Sequence, residues 1–302
     1  MIEGARPSQC GYVAILGAPN VGKSTLVNYL VGAKVSIVTP KVQTTRTRVL
    51  GICIAGASQI VFVDTPGIFA PRRRLDRAMV AAAWSGAADA DLVAVLVDSA
   101  KGIDGDTRRI LERLADSKRN AVLVLNKIDR VKKSALLALA TEAAATARFA
   151  ETFMISALNG DGVGAVKTYF ASAVPEGPWL FPEDQISDMP LRLLAAEVTR
   201  EKVFLELRQE LPYAATVETE RWQERGDGSV RIEQVIFVER NSQKGIVLGK
   251  GGQRVKAIGA ESRRELEELF ERRVHLFLFV KVRERWGDDP ERYREWGLDF
   301  NA

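Results

Sequence analysis

The 302-residue sequence predicts an α/β domain with a mostly parallel sheet, followed by a smaller α+β domain. Three observations carry this expectation. Short apolar runs alternate with helical stretches as far as residue 170. A glycine-rich loop joins the first apolar run to the first helix. Three prolines and a glycine then fall within 174–182, and beyond them the order of elements changes.

The elements follow in order. Strands are expected at 12–16, 48–55, 59–63, 92–97, 121–125 and 152–155, with an Ala-rich helix at 134–150. A strongly helical stretch, 191–211, is closed by Pro212. Strands at 213–219 and 230–239 are joined by Arg225-Gly226-Asp227-Gly228. Val255, Ile258, Ser262, Leu266 and Leu269 recur every three or four residues, the spacing of a half-buried helix. A last strand is expected at 274–282. The implied organisation is a first domain at 11–173, a linker at 174–189, a second domain at 190–286 and a tail at 287–302.

Composition narrows the class. Apolar residues make up 46%, enough for a sizeable core in each domain, and the net charge of +4 suggests an anionic partner. Two cysteines, Cys10 and Cys53, have no paired spacing, which fits a reducing cytosol and argues against a disulfide scaffold or zinc site. His275, the only histidine, sits in an apolar run and reads as a structural strand residue. No signal-peptide pattern opens the chain, and no apolar run approaches the ~20 residues of a membrane span. There are no internal repeats.

Gly17-Ala18-Pro19-Asn20-Val21-Gly22-Lys23-Ser24 fits the phosphate-binding loop, and Thr25 begins the helix behind it. Its glycines let backbone N–H groups curl around a β-phosphate, and the helix N-terminus adds positive charge. Lys23 would reach the β- and γ-phosphates and Ser24 would hold Mg²⁺. Asp64-Thr65-Pro66-Gly67-Ile68 ends a strand; Asp64 is the acidic Mg²⁺ partner, acting through water, and the Gly67 N–H senses the γ-phosphate. Gln43-Thr44-Thr45-Arg46-Thr47 lies where a nucleotide-sensing loop belongs. Thr45 is the first choice for closing on Mg²⁺, with Thr44 the alternative.

Asn126-Lys127-Ile128-Asp129 follows another strand, about 100 residues past the phosphate loop, an order that fits GTPases. Asp129 can accept from N1–H and the exocyclic amine of guanine, donors that adenine lacks there. Ser156-Ala157-Leu158 resembles the last guanine-contacting element, with the Ala157 N–H aimed at the base carbonyl. Ras-like enzymes carry a water-orienting glutamine just after the Asp-x-x-Gly turn, where this chain has Ile68. Slow intrinsic hydrolysis is expected unless other charge is supplied.

In the second domain, Gly249-Lys250-Gly251-Gly252 is a GxxG loop preceded by Ile246-Val247-Leu248. Arg240, Lys244, Lys250, Arg254 and Lys256 surround it without an acid between 240 and 260. The order helix, strand, strand, helix, GxxG, helix, strand resembles a type II KH domain, whose loop clamps about four single-stranded nucleotides.

Together GAPNVGKST, QTTR, DTPG, NKID, SAL and IVLGKGG resemble the bacterial Era GTPases, from Gly11 to about residue 299. The resemblance implies a GTPase domain plus KH domain that binds GTP and GDP with Mg²⁺. It implies 16S rRNA near its 3′ end and the small ribosomal subunit as partners, in a monomeric cytoplasmic protein with peripheral contact at the inner face of the cell membrane. In related translation-factor GTPases an asparagine at the place of Asn20 helps hold K⁺ beside the phosphates. A membrane-surface or cell-cycle signalling switch acting through a protein partner is the alternative; a metabolic phosphate-loop kinase is disfavoured by NKID.

Overall fold

The computed structural model describes residues 8–117 and 119–302. The chain divides into two units: residues as far as 36, with 45–188 and 293–302, form the first, and residues 37–44 and 189–292 the second.

The first unit runs β1 (Gln9–Gly17), α1 (Lys23–Val31), β2 (Val49–Ala55), β3 (Ser58–Asp64), α2 (Arg74–Asp89), β4 (Leu92–Asp98), α3 (Gly105–Ser117), β5 (Ala121–Asn126), α4 (Lys133–Thr146), β6 (Thr152–Ile155) and α5 (Val163–Ala173). The sheet order is β2-β3-β1-β4-β5-β6, with only β2 antiparallel to its neighbour. Continuous apolar strands such as Leu92–Asp98 are buried along their whole length, as a sheet covered on both faces requires. Register pairs Ile15 with Asp64, Gly17 with Leu96, and Asp98 and Ile155 with Asn126. The C-terminal ends of five parallel strands therefore share one edge, where ligands of doubly wound sheets bind.

The segment expected to be a linker is laid along the sheet rather than left free. Gln59 Oε1 accepts from the N–H groups of Leu180 and Phe181 at 2.9 and 3.0 Å, and Trp179 Nε1 donates to Ala57 O at 3.1 Å. Further on, Ile52 N donates to Ile186 O, and Leu50 N to Asp188 Oδ1. This strap satisfies the outer edge of β2, which would otherwise leave backbone groups unpaired. The final residues also belong here: Tyr293 and Leu298 pack with Ala78 and Met79 of α2.

The second unit runs α6 (Leu191–Glu206), β7 (Ala215–Glu224), β8 (Val230–Val238), α7 (Asn241–Leu248), α8 (Gln253–Phe270) and β9 (Val274–Val282); α9 (Pro290–Glu295) follows. Its sheet order is β7-β8-β9, antiparallel then parallel. The helix expected to reach residue 211 stops at Glu206, because Leu207 turns extended and is buried. Two carbonyls at this end, of Phe204 and Leu207, accept from Lys41 Nζ. Residues 37–44 are held on α6 at two further points: Val38 N donates to Glu201 Oε1 at 2.8 Å, and Arg200 Nη2 donates to Thr44 O. The next strand begins at Ala215, not residue 213, and runs to Glu224 through a bulge at Thr219/Arg221. The Ala-rich helix is likewise shorter than expected, ending at Thr146. Among the described residues no helix is long and apolar enough to cross a membrane.

Candidate functional site

The loop from Gly17 to Gly22 turns out of β1 into α1. Gly22 takes φ 101°, and a Cβ there would overlap Asn126 Nδ2, so only glycine fits. Lys23 lies beneath the loop, 6% exposed, with Nζ donating to Gly17 O at 3.2 Å and Ala18 O at 3.1 Å. Burial pulls this lysine down to about 8, against the attraction of Asp64. A cation held only by two neutral carbonyls is short of the charge it needs, which suits it to an arriving phosphate.

Asp64 is fully buried. Its Oδ2 accepts from Ser24 Oγ and Ser36 Oγ, both at 2.6 Å, while Oδ1 has no hydrogen-bond partner. Burial pushes its carboxyl up, opposed by those hydroxyls, Lys23 and Thr45. Ser24 Oγ and Thr45 Oγ1 lie 2.9 Å apart. The set Ser24, Thr45 and Asp64 is all hard oxygen, and the orphaned Oδ1 is a buried acceptor in need of a cation or its water. These residues fit Mg²⁺. Thr44, the alternative to Thr45, is turned away: its hydroxyl bonds to Thr39 Oγ1 and Lys41 O. Gln43 has φ 57°, while Arg46 and Thr47 are buried.

Ser36 has no signature in the sequence. It is held by Asn28, whose Oδ1 accepts from Val35 N and Ser36 N at 2.9 Å and whose Nδ2 donates to Ser36 O at 2.7 Å. After β3, Thr65 Oγ1 donates to Ile15 O, and Ile68 N to Gly17 O. Gly67 lies tightly against Pro19, where an added Cβ would come within 3.0 Å. Ile68 is 6% exposed and packs in the core.

Asn126 joins three loops. Its Nδ2 donates to Val21 O at 2.8 Å, and its Oδ1 accepts from Lys127 N and Ala157 N at 2.8 and 2.9 Å. The Ala157 N–H, expected to be aimed at a base carbonyl, thus has a competing acceptor in Asn126. Lys127 has φ 65° and bonds Asn20 O at 2.6 Å and Asp98 Oδ2 at 2.7 Å. Asp98 is a second residue without a sequence signal. Asn20 itself takes φ 63°. Asp129 is exposed on the short helix Ile128–Arg130. Ser156 is buried, whereas Leu158 is 77% exposed.

In the second unit α7 ends at Gly249, with φ 72°, and α8 begins at Gln253. Gly251 and Gly252 also have positive φ, at 58° and 77°. A Cβ on Gly249 would come within 2.8 Å of Arg254 Cβ, so this turn needs glycine. Lys250, Gly251 and Lys256 are exposed, and Lys244 and Arg254 partly so. Arg254 Nη1 donates to Ile246 O across the loop. Val247 anchors α7 in the core, with Ile258 of α8. The arrangement presents glycine backbone without side chains, and ammonium charge, on one open turn, which suits a phosphodiester backbone.

Known proteins match both halves. A family model described as 50S ribosome-binding GTPase matches residues 12–127, and a KH domain model matches residues 210–287. GTPase Era of Rhizobium meliloti (strain 1021) is 64% identical over 297 residues, 98% of this chain and 95% of that protein. GTPase Era of Brucella suis biovar 1 (strain 1330) is 63% identical over 296 residues, 98% and 95% respectively. Among solved structures, Era in complex with MgGDPNP and nucleotides 1506–1542 of 16S ribosomal RNA superposes with TM-score 0.91 at 40% identity, covering 96% of this chain and 99% of that one. A point variant of Aquifex aeolicus Era bound to GDP.AlF4⁻ gives the same figures, TM-score 0.91 and 40% identity over 96% and 99%.

Proposed function

Because this chain belongs to the Era GTPase family, and is a GTP-binding, RNA-binding GTPase, we propose that it acts as a nucleotide-gated assembly factor of the small ribosomal subunit. Its RNA target is the 3′ end of 16S rRNA. In this reading it works as a monomer in the cytoplasm, touching the inner face of the membrane only peripherally.

The observation that carries the gating is the placement of residues 37–44. They belong to the second unit, while the hydroxyls on either side, of Ser36 and Thr45, stand at Asp64 and Ser24. Loss of the γ-phosphate releases such a segment. The same event therefore reaches the RNA-binding unit through the chain itself. Linkage requires the RNA to favour the matching nucleotide state in return.

The residues divide the work. Lys23, the Gly17–Gly22 loop and Thr25 bind phosphates, and Gly67 reports on the γ-phosphate. Asn126 and Lys127 shape the base pocket, Asp129 reads guanine, and the Ser156-Ala157-Leu158 loop closes it. Ser24, Thr45 and, through water, Asp64 would hold Mg²⁺, which when bound adds positive charge against the β- and γ-phosphates. Ile68, apolar and buried, neither polarises nor orients the attacking water. Asn20 supports K⁺ as the missing charge, and hydrolysis is then several-fold faster in K⁺ than in Na⁺ at matched ionic strength. Equal rates remove that role. Gly249 to Gly252, with Lys244, Lys250, Arg254 and Lys256, hold the RNA backbone.

The deciding experiment is binding of labelled RNA spanning 16S nucleotides 1506–1542 in GDP and in a non-hydrolysable GTP analogue. Tighter binding with the analogue is expected. Indifference to nucleotide sinks the gating.

A further inference from the structure

Within the second unit, the outer face of the sheet is covered at one end, by Arg292 and Trp286. Leu276, Leu278, Val280 and Val282 of β9 pack inward beneath the helices. Strand alternation sends His275, Phe277, Phe279 and Lys281 outward. Register with β8 puts Arg231 beside His275, Glu233 beside Phe277, Val235 beside Phe279 and Phe237 beside Lys281.

At the covered end the Arg292 guanidinium lies 4.7 Å over Phe237 and 5.7 Å from the Trp286 ring, and pairs with Glu218 at 2.6 Å. Val235 is fully buried and Phe237 7% exposed. At the open end Phe277 is 42% and Phe279 48% exposed. Among the described residues no other phenylalanine or tryptophan is so exposed. Planar cations flank them: Arg231 sits 4.7 Å over the Phe277 ring, and Arg221 has 65% of its side chain in solvent. The carboxylates on this face are already neutralised, Glu233 by Arg231 at 2.7 Å and Glu220 by Lys281 at 2.8 Å.

We propose that this open end is a stacking platform for the bases of single-stranded RNA, extending the RNA track beyond the GxxG loop. Flat rings beside guanidinium planes, with every nearby acid paired, match how sequence-tolerant nucleic-acid surfaces are built. An aliphatic protein-docking patch would present branched side chains for interdigitation, and none stands exposed on this end of the face. β9 is the edge strand, and α7, which leads into the GxxG loop, packs on its inner face, so an RNA leaving the loop has one strand edge to round before it reaches the outer face. The inference rests on the GxxG loop being the RNA site.

The test uses the full chain and two RNAs, the 1506–1542 strand and a single-stranded piece of about four nucleotides that fills only the loop. Phe277→Ala with Phe279→Ala weakens the long RNA about 10-fold or more, at ~1–3 kcal/mol per stacked base, and leaves the short RNA, GTP hydrolysis and melting temperature unchanged. The double Tyr variant restores long-RNA binding; the double Leu variant does not. Unchanged long-RNA binding in the Ala variant overturns the platform, as does full rescue by Leu, which marks a merely apolar contact with a protein or collapsed RNA. Lys250→Asp with Gly251→Asp tests the underlying reading separately: it weakens both RNAs, and if it weakens neither, that reading falls whatever the phenylalanines do.

Discussion

The two units place their functional groups in opposite environments. In the first, Lys23, Asp64 and Asn126 are nearly or wholly buried and wired to one another through loop carbonyls and hydroxyls. In the second, Lys250, Gly251 and the two outward phenylalanines lie open to water. In a buried polar site each unpaired group costs about 1–3 kcal/mol, so few are left over, and the one at Asp64 Oδ1 marks where the ligand is needed. An open site shares its binding over many weak, salt-screened contacts. Single substitutions should therefore act sharply in the first unit and gradually in the second.

The sharpest contrast is Lys23→Ala. Removing the only buried ammonium in the loop should weaken GDP and GTP binding at least about 100-fold, read by calorimetry, at ~1.5–3 kcal/mol per charged hydrogen bond. A loss under tenfold would mean that phosphate is held by backbone alone. Asp129→Asn comes next: preference should move from GTP toward XTP, with GTP weakened about tenfold or more through loss of a charge-assisted pair of bonds. Unchanged GTP affinity would show the wrong base-reading residue. Lys250→Asp with Gly251→Asp should lower RNA affinity on the order of tenfold, flatten its salt dependence and spare nucleotide binding. If nucleotide affinity fell too, the units would not be separable as drawn. Smallest of all, Leu158→Ala should change GTP affinity less than about twofold, because a side chain 77% exposed has little left to lose.

That difference also governs what could be read from the sequence. The parallel strands stood out because strands covered on both faces are continuous apolar runs, and the loop motifs because backbone curvature demands glycine at fixed places, as at Gly22. Ser36 and Asp98 were invisible. Each is a common polar residue given its place by another element, Ser36 by Asn28 and Asp98 by Lys127. The end of α6 is hidden from the sequence for the same reason. Pro212 offered a local stop, but the carbonyls of its last turn are met by Lys41, 163 residues away from Phe204 in the chain. The strap at 179–188 reads as a linker because prolines signal a break; Gln59, the residue that fastens it, is one of three polar positions in a buried strand. Phe277 and Phe279 read only as part of a strand, since pattern alone does not tell which face of an edge strand stays uncovered.

Tyr293 and Leu298 pack on Ala78 and Met79, so α2 of the first unit receives its cover from residues 293–302. During synthesis an N-terminal domain ordinarily completes its fold while the rest is still being made. Here that order cannot hold to the end. The main core of the GTPase unit needs none of these residues, but the small apolar cluster at Ala78 and Met79 closes only after the RNA-binding unit has been translated and residues 293–302 have followed it. A fragment ending near residue 188 repeats this unfinished state permanently, leaving an apolar strip on α2 that residues 293–302 otherwise cover.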